Sequence, residues 1–181
     1  MRALARSITH TASVCRFFAM LHAQAQQVGG RLLNVESHHR SWRGFADDRG
    51  YAGQLRPDGY AVYQHGHARV AFFVEWERRA DRPARYGRKL WPYIRYYRSE
   101  RAWDDARDWP WLLMVLRDAA AEDGFWCVAR SELDRSDLTY RLTVLTTTEE
   151  LVIRSGPFGQ VWRDSRGGVR WTLHRGTGVD T

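Results

Sequence analysis

The sequence predicts a mixed α/β domain, a central sheet of about five strands flanked by helices, and three observations predict it. Apolar residues Val14, Phe17, Phe18, Leu21 and Ala25 recur at three- and four-residue steps, the period of an amphipathic helix. Two alternating runs on either side of Gly66 read as a β-hairpin. A six-residue apolar run, Trp111–Leu116, has the length and hydrophobicity of a strand covered on both faces.

Taken in order, the first helix is expected to be capped by Thr11 or Ser13 and to end at Gly29-Gly30. Residues 31–42 read as extended and 44–53 as a polar, glycine-containing loop. The hairpin strands are residues 55–64 and 68–78, joined through His65-Gly66-His67. From 82 to 99, Tyr86, Leu90, Tyr93, Ile94 and Tyr97 fall on one helical face, with Pro83 suited to the first turn and Pro92 expected to kink the helix. A charged connector, 100–108, leads into the central strand, and residues 119–130 read as a weak helix interrupted at Gly124. A strand over 138–146 and a short helix over 147–154, capped by Thr147 with Glu150 as its N3 partner, complete the pattern. The expected division is one domain over 1–163 and a flexible tail over 164–181.

Composition narrows the function. The 181 residues carry 28 Lys plus Arg against 21 Asp plus Glu, a formal net charge of +7. All the basic residues except Lys89 are arginine. Arginine suits bidentate phosphate binding, and a GC-rich genome produces the same bias, so the excess charge modestly favours an acidic partner. The longest apolar run falls far short of the roughly 20 residues of a membrane span, and no secretory signal follows Met1. Cys15 and Cys127 stand apart among apolar neighbours and read as reduced core cysteines of a cytoplasmic protein. No P-loop, dinucleotide fingerprint or serine-hydrolase elbow is present.

The hairpin carries the chemistry. Alternation puts Phe72, Val74 and Trp76 on one face of the second strand and Phe73, Glu75 and Glu77 on the other. With Gly66-His67 at the turn, Asp58 lies opposite Glu75; with His65-Gly66 it lies diagonal to it. Paired carboxylates need a cation. A divalent metal meets that need and activates water for phosphodiester hydrolysis, while Arg56, Arg78 or Arg79 would meet it in a purely structural network. Lys89, Arg82 and Arg85 occupy one flank of the following helix, from which Lys89 either reaches back toward Asp58 and Glu75 or remains solvated. Between Arg78 and Arg101 stand nine basic residues and two acidic ones, interleaved with Trp91, Tyr93, Tyr96 and Tyr97. That stretch is the best candidate for DNA phosphate contact, most of its tyrosines being expected in the core.

The blocks LRPDGYAVY, VAFFVEWERRADRPARYGRKLWPYIRYYRS, WPWLLMVLRD and LTVLTTTEELVIRSGPFGQVWR stand in an order that resembles the replication-relaxation family of bacterial proteins, associated with plasmids and mobile elements. The resemblance covers about residues 10–163. That family's core is in turn similar to the restriction-endonuclease-like, or PD-(D/E)xK, nuclease fold. On this resemblance Pro57-Asp58 match the PD pair, Glu75 the second acid, and Glu77 takes the place of the usual lysine, which in some members moves to the next helix, where Lys89 lies. Family members usually begin with a winged-helix domain, which the nine or so residues preceding this core do not supply.

The resemblance implies a DNA-associated protein of plasmid replication or mobilisation, working with a relaxase or replication protein, and an Mg2+-dependent endonuclease or nickase if active. Its catalytic residues would be Asp58, Glu75, Glu77 and Lys89, with Asp58 and Glu75 holding Mg2+; Arg56, Arg78, Arg82, Arg85 and Arg88 would hold the nucleic acid. The alternative is a catalytically inactive DNA-binding or protein-binding accessory on the same fold.

Overall fold

In the computed structural model, which describes residues 2–78, 83–106 and 108–173, the expected mixed sheet is present. Helix α1 (Arg2–Gln27) precedes β1 (Arg31–Ser37), a 3-10 turn (His38–Ser41) and two short strands, β2 (Arg43–Ala46) and β3 (Ala52–Leu55). The hairpin follows as β4 (Gly59–His65) and β5 (Ala68–Glu77), then α2 (Pro83–Arg98), α3 (Arg101–Ala106) and β6 (Trp111–Leu116). Helix α4 (Ala119–Ser136), β7 (Val144–Thr148) and α5 (Glu149–Ser155) close the order. The five-stranded sheet runs β1-β4-β5-β6-β7, antiparallel on the β1 side and parallel from β5 to β7; β2 and β3 pair separately. The middle strand is therefore β5, with the apolar run expected at the centre lying beside it.

Alternation along β5 sorts two cores, as expected. Phe72, Val74 and Trp76 meet Phe17, Phe18 and Leu21 of α1, whereas Phe73 meets Tyr86, Tyr93, Tyr96 and Tyr97 of α2. All four tyrosines are buried. Helix α2 is thereby pressed onto the face that carries Glu75, and it continues through Pro92.

Several local expectations are corrected. Helix α1 begins at Arg2, so Thr11 and Ser13 lie inside it rather than capping it; the apolar stripe begins only at Val14 and gives no sign of the extra turns. Residues 44–53 fold as the β2–β3 hairpin, whose edges pair although only Phe45 and Leu55 are buried. The connector contains α3, and α4 runs through Gly124 to Ser136 because Phe125, Trp126, Ala129 and Leu133 bury one continuous face that outweighs a glycine's cost of about 1 kcal/mol. The expected strand over 138–146 forms only from Val144: Leu138 and Leu142 flank a turn over 139–141 that the Leu142 amide closes onto the Leu138 carbonyl. Thr148, not Thr147, caps α5, accepting from the Leu151 amide, which puts Glu150 out of the N3 position. Cys15 and Cys127 are exposed, each on the outer side of its helix.

Residues 164–173, expected to be mobile, return across the sheet end through a Trp162–Trp171 bridge. Arg170 there donates to both oxygens of the fully buried Glu122, at 3.2 and 2.6 Å. Thr146 Oγ1 donates to the same carboxylate, and Arg163 lies 4.0 Å from it. Arg170→Ala is expected to destabilise the fold by about 2–4 kcal/mol, since Glu122 keeps its burial and loses its closest cation. Urea unfolding measures this, and Glu122→Gln in the same background should restore much of the loss.

Candidate functional site

Hairpin register decides the geometry of the site. Gly59 pairs with Val74 and His65 with Ala68, so Gly66 and His67 form the turn; the paired register ends at Gly59, and Asp58 stands just before β4 rather than on the strand, beside the end that carries Glu75. The Asp58 amide donates to the Val74 carbonyl at 3.0 Å, one residue off the β4–β5 register, so regular pairing stops at Gly59 and Asp58 reaches the site from the end of the ladder. Gly59 is needed for space: a Cβ there would stand 2.4 Å from the Phe18 ring and 3.2 Å from the Glu36 carbonyl. The small residue lets α1 close on the strand immediately beside Asp58.

Asp58 is held from two sides. Its Oδ2 accepts from the Trp76 amide at 2.8 Å, and its Oδ1 lies 2.9 Å from His10 Nε2. An ionised carboxylate only accepts, so His10 Nε2 carries the hydrogen. Burial pushes the Asp58 carboxyl up, but His10, Lys89 and the Trp76 amide outweigh it and hold it below its ordinary value. The Asp58 hydrogen bond raises His10 against its own burial.

Glu75 is buried in the middle strand. Its Oε1 accepts from the Tyr93 hydroxyl at 2.8 Å, and its Oε2 lies 3.0 Å from Lys89 Nζ. Lys89 also donates to Glu77 Oε2 at 3.1 Å and so bridges both glutamates. Burial alone would lower the Lys89 ammonium, but Glu75, Glu77 and Asp58 raise it above its ordinary value, and it is a cation at any physiological pH. Burial dominates at Glu75, pushing it up to about 7 despite Lys89.

That shift has a sign. Between the ordinary 4.5 and about 7 the folded chain keeps a proton that the unfolded chain has released, so stability falls as pH rises through this window. His10, raised by Asp58, adds a loss of the same sign above its ordinary 6.5. In EDTA, Glu75→Gln is expected to flatten the fall between pH 5 and pH 7.5, a difference on the order of 3 kcal/mol. Urea midpoints at the two pH values test this; parallel profiles for wild type and variant would mean that Glu75 is ionised throughout.

Asp58, Glu75 and Lys89 meet in an open cleft of about 400 Å3, walled by Gln54, Leu55 and Arg56 of the β2–β3 side and by Pro92 and Tyr93 of α2. Glu77 reaches this group through Lys89 and does not line the cleft. Arg56 does line it, its guanidinium 4.7 Å from the Trp42 ring centroid and its Nε donating to Gln54 at 2.6 Å. Arg78 instead pairs with Glu149 of α5 at 3.3 Å. Arg85 and Arg88 are exposed on α2, and Arg82 lies outside the described residues. Among the described residues, the carboxylates are thus compensated by Lys89 and His10, not by Arg56 or Arg78, while Arg79 lies outside the described residues.

His10, Tyr93 and the β2–β3 wall escape sequence reasoning. His10 stands 48 residues from its partner with no motif around it, and Tyr93 reads as one more core residue of the stripe. Among the described residues, no three His, Cys, Asp or Glu side chains converge as a metal-binding group, and no helix is long and apolar enough to cross a membrane. Two carboxylates lining one cleft are nevertheless a donor set that suits Mg2+, which takes one or two carboxylates and completes its octahedron with water.

Comparison with curated proteins finds no match. The model of the replication-relaxation family matches residues 1–110, from α1 through α2 and α3, and so spans Asp58, Glu75, Glu77 and Lys89. With that match over more than half of its 181 residues, the chain belongs to the replication-relaxation family.

Proposed function

We propose that this protein is a metal-dependent phosphodiesterase acting on DNA in the replication or mobilisation of a plasmid or mobile element, with a restriction-endonuclease-like core. The observation that carries this reading is the meeting of Asp58, Glu75 and Lys89 in one open cleft, with Arg56 on its wall. Family membership supports the association with replication.

Asp58 and Glu75 would hold Mg2+, which when bound supplies charge neutralisation at phosphate and a more acidic water. Lys89 has the reach and permanent charge to stabilise a phosphate oxyanion, and at present it spends that charge on Glu75 and Glu77. Glu77 anchors the Lys89 ammonium at the position where the resemblance places a lysine. Tyr93 and His10 fix the carboxylate planes by hydrogen bonds that leave further lone pairs on each oxygen. Arg56 and the exposed Arg85 and Arg88 would position the DNA backbone.

The test is supercoiled plasmid incubated with the protein in Mg2+ or in EDTA. Nicked circles in Mg2+ alone are the expected result. A second reading, a DNA-binding accessory without catalysis, is favoured by one observation: every oxygen of Asp58 and Glu75 already has a partner within the chain. Binding of DNA in EDTA with no nicking under either condition would decide for it.

A further inference from the structure

Two aromatic rings that the core does not need stand on the elements that supply the cleft walls, outside the cleft itself. On α2, Trp91 is 50% exposed although it directly precedes Pro92, a cleft residue, and Arg88 stands one turn before it. On the β2–β3 connection, Tyr51 is 67% exposed. Its backbone, by contrast, is fastened: the Tyr51 amide donates to Asp47 Oδ1 at 2.8 Å, and its carbonyl accepts from the Asp47 amide at 2.9 Å. Arg95, one turn beyond Trp91, ties this turn to α2 by donating to Asp47 Oδ2 at 2.8 Å and to the Tyr51 carbonyl at 3.3 Å. A rigid turn that presents an apolar ring to water, beside a helix that does the same, is organised for a flat partner. An exposed ring on a loose loop would lose more freedom on binding.

We propose that the outer surface shared by α2 and the β2–β3 turn that Arg95 ties to it, a rim beyond the cleft, is a track for single-stranded DNA, on which bases stack against Trp91 and Tyr51 while Arg88 and Arg56 take phosphates on the way to the cleft. It rests on the reading of the cleft as a DNA site and names the strandedness of the substrate. Base stacking requires unpaired bases, because in a duplex the base faces are already covered. Arg56 suits the phosphate role because Trp42 and Gln54 hold its guanidinium in place at the wall. Arg95, spent on Asp47, acts as the clasp of the turn and not as a DNA contact.

The experiment is fluorescence anisotropy of the full chain with a labelled 20-nucleotide single strand and with the matching duplex, in EDTA so that no cleavage intervenes. Trp91→Ala is expected to weaken single-strand binding roughly tenfold and to change duplex binding less than about twofold. Tyr51→Ala should act in the same direction, and Trp91→Phe should retain most of the affinity. Absence of single-strand binding by the wild type, unchanged affinity in the Trp91→Ala, Tyr51→Ala double variant, or equal losses on duplex overturns the proposal. The nicking assay is independent of it. Nicking with no effect of the rim variants on single strands removes the track and leaves the phosphodiesterase, whereas the converse leaves the track on a non-catalytic protein.

Discussion

Replacing Asp58 and Glu75 together by alanine is expected to abolish Mg2+-dependent nicking of supercoiled plasmid. Among the described residues, the two carboxylates are the only acidic side chains that line the cleft, so their loss removes the proposed metal donors in one step. Charge stabilisation of several kcal/mol would go with them, on the order of 10³-fold in rate. Alanine at Asp58 also strands the Trp76 amide and His10, so the pair Asp58→Asn with Glu75→Gln is the necessary companion. It keeps side-chain shape and most hydrogen bonds while removing both charges, and it should be equally inactive. Nicking by either double variant within tenfold of wild type would rule the mechanism out.

Lys89→Ala is expected to cost about 3–5 kcal/mol of stability at pH 8, together with activity. Its ammonium is the cation shared by Glu75 and Glu77, and breaking a buried pair by removing one partner leaves the other charge in a low-dielectric site. The loss should be smaller at pH 5, where Glu75 takes a proton, since its carboxyl is pushed up to about 7. Adding Glu75→Gln should recover part of the stability at pH 8 without restoring nicking. Chemical denaturation at both pH values reads the effect, and a Lys89→Ala protein as stable as wild type at pH 8 would show the cluster to be solvated. Lys89→Arg is no substitute, because a planar guanidinium cannot present one compact charge to two glutamates at 3.0 and 3.1 Å.

Some of the site is local enough to be read directly. Strand alternation has a period of two, which puts Glu75 and Glu77 on the face opposite Phe72, Val74 and Trp76 without knowledge of the fold. The 3.6-residue period does the same for the buried tyrosines of α2 and sets Lys89 at the edge of that stripe. Where the sequence misleads, a weak local signal competes with packing. Gly124 reads as a break, yet the apolar face from Phe125 to Leu133 carries α4 through it. Polar residues 44–53 read as loop, yet the turn fastened by Asp47 and Arg95 gives them a hairpin.

By itself, the sequence determined the mixed α/β class, the hairpin with its face of carboxylates, the amphipathic α2, and a family resemblance that the match over residues 1–110 bears out. Periodicity and short motifs are properties of neighbours in the chain, and neighbours suffice for these. Tertiary structure decided how Asp58 and Glu75 come to line one cleft, the pairing of Lys89 with both glutamates, and the arrival of His10 from α1. The physical reason is distance along the chain. His10 and Asp58 are 48 residues apart, and only the packing of α1 on one face of β5 and α2 on the other brings their side chains within hydrogen-bonding reach of one strand end.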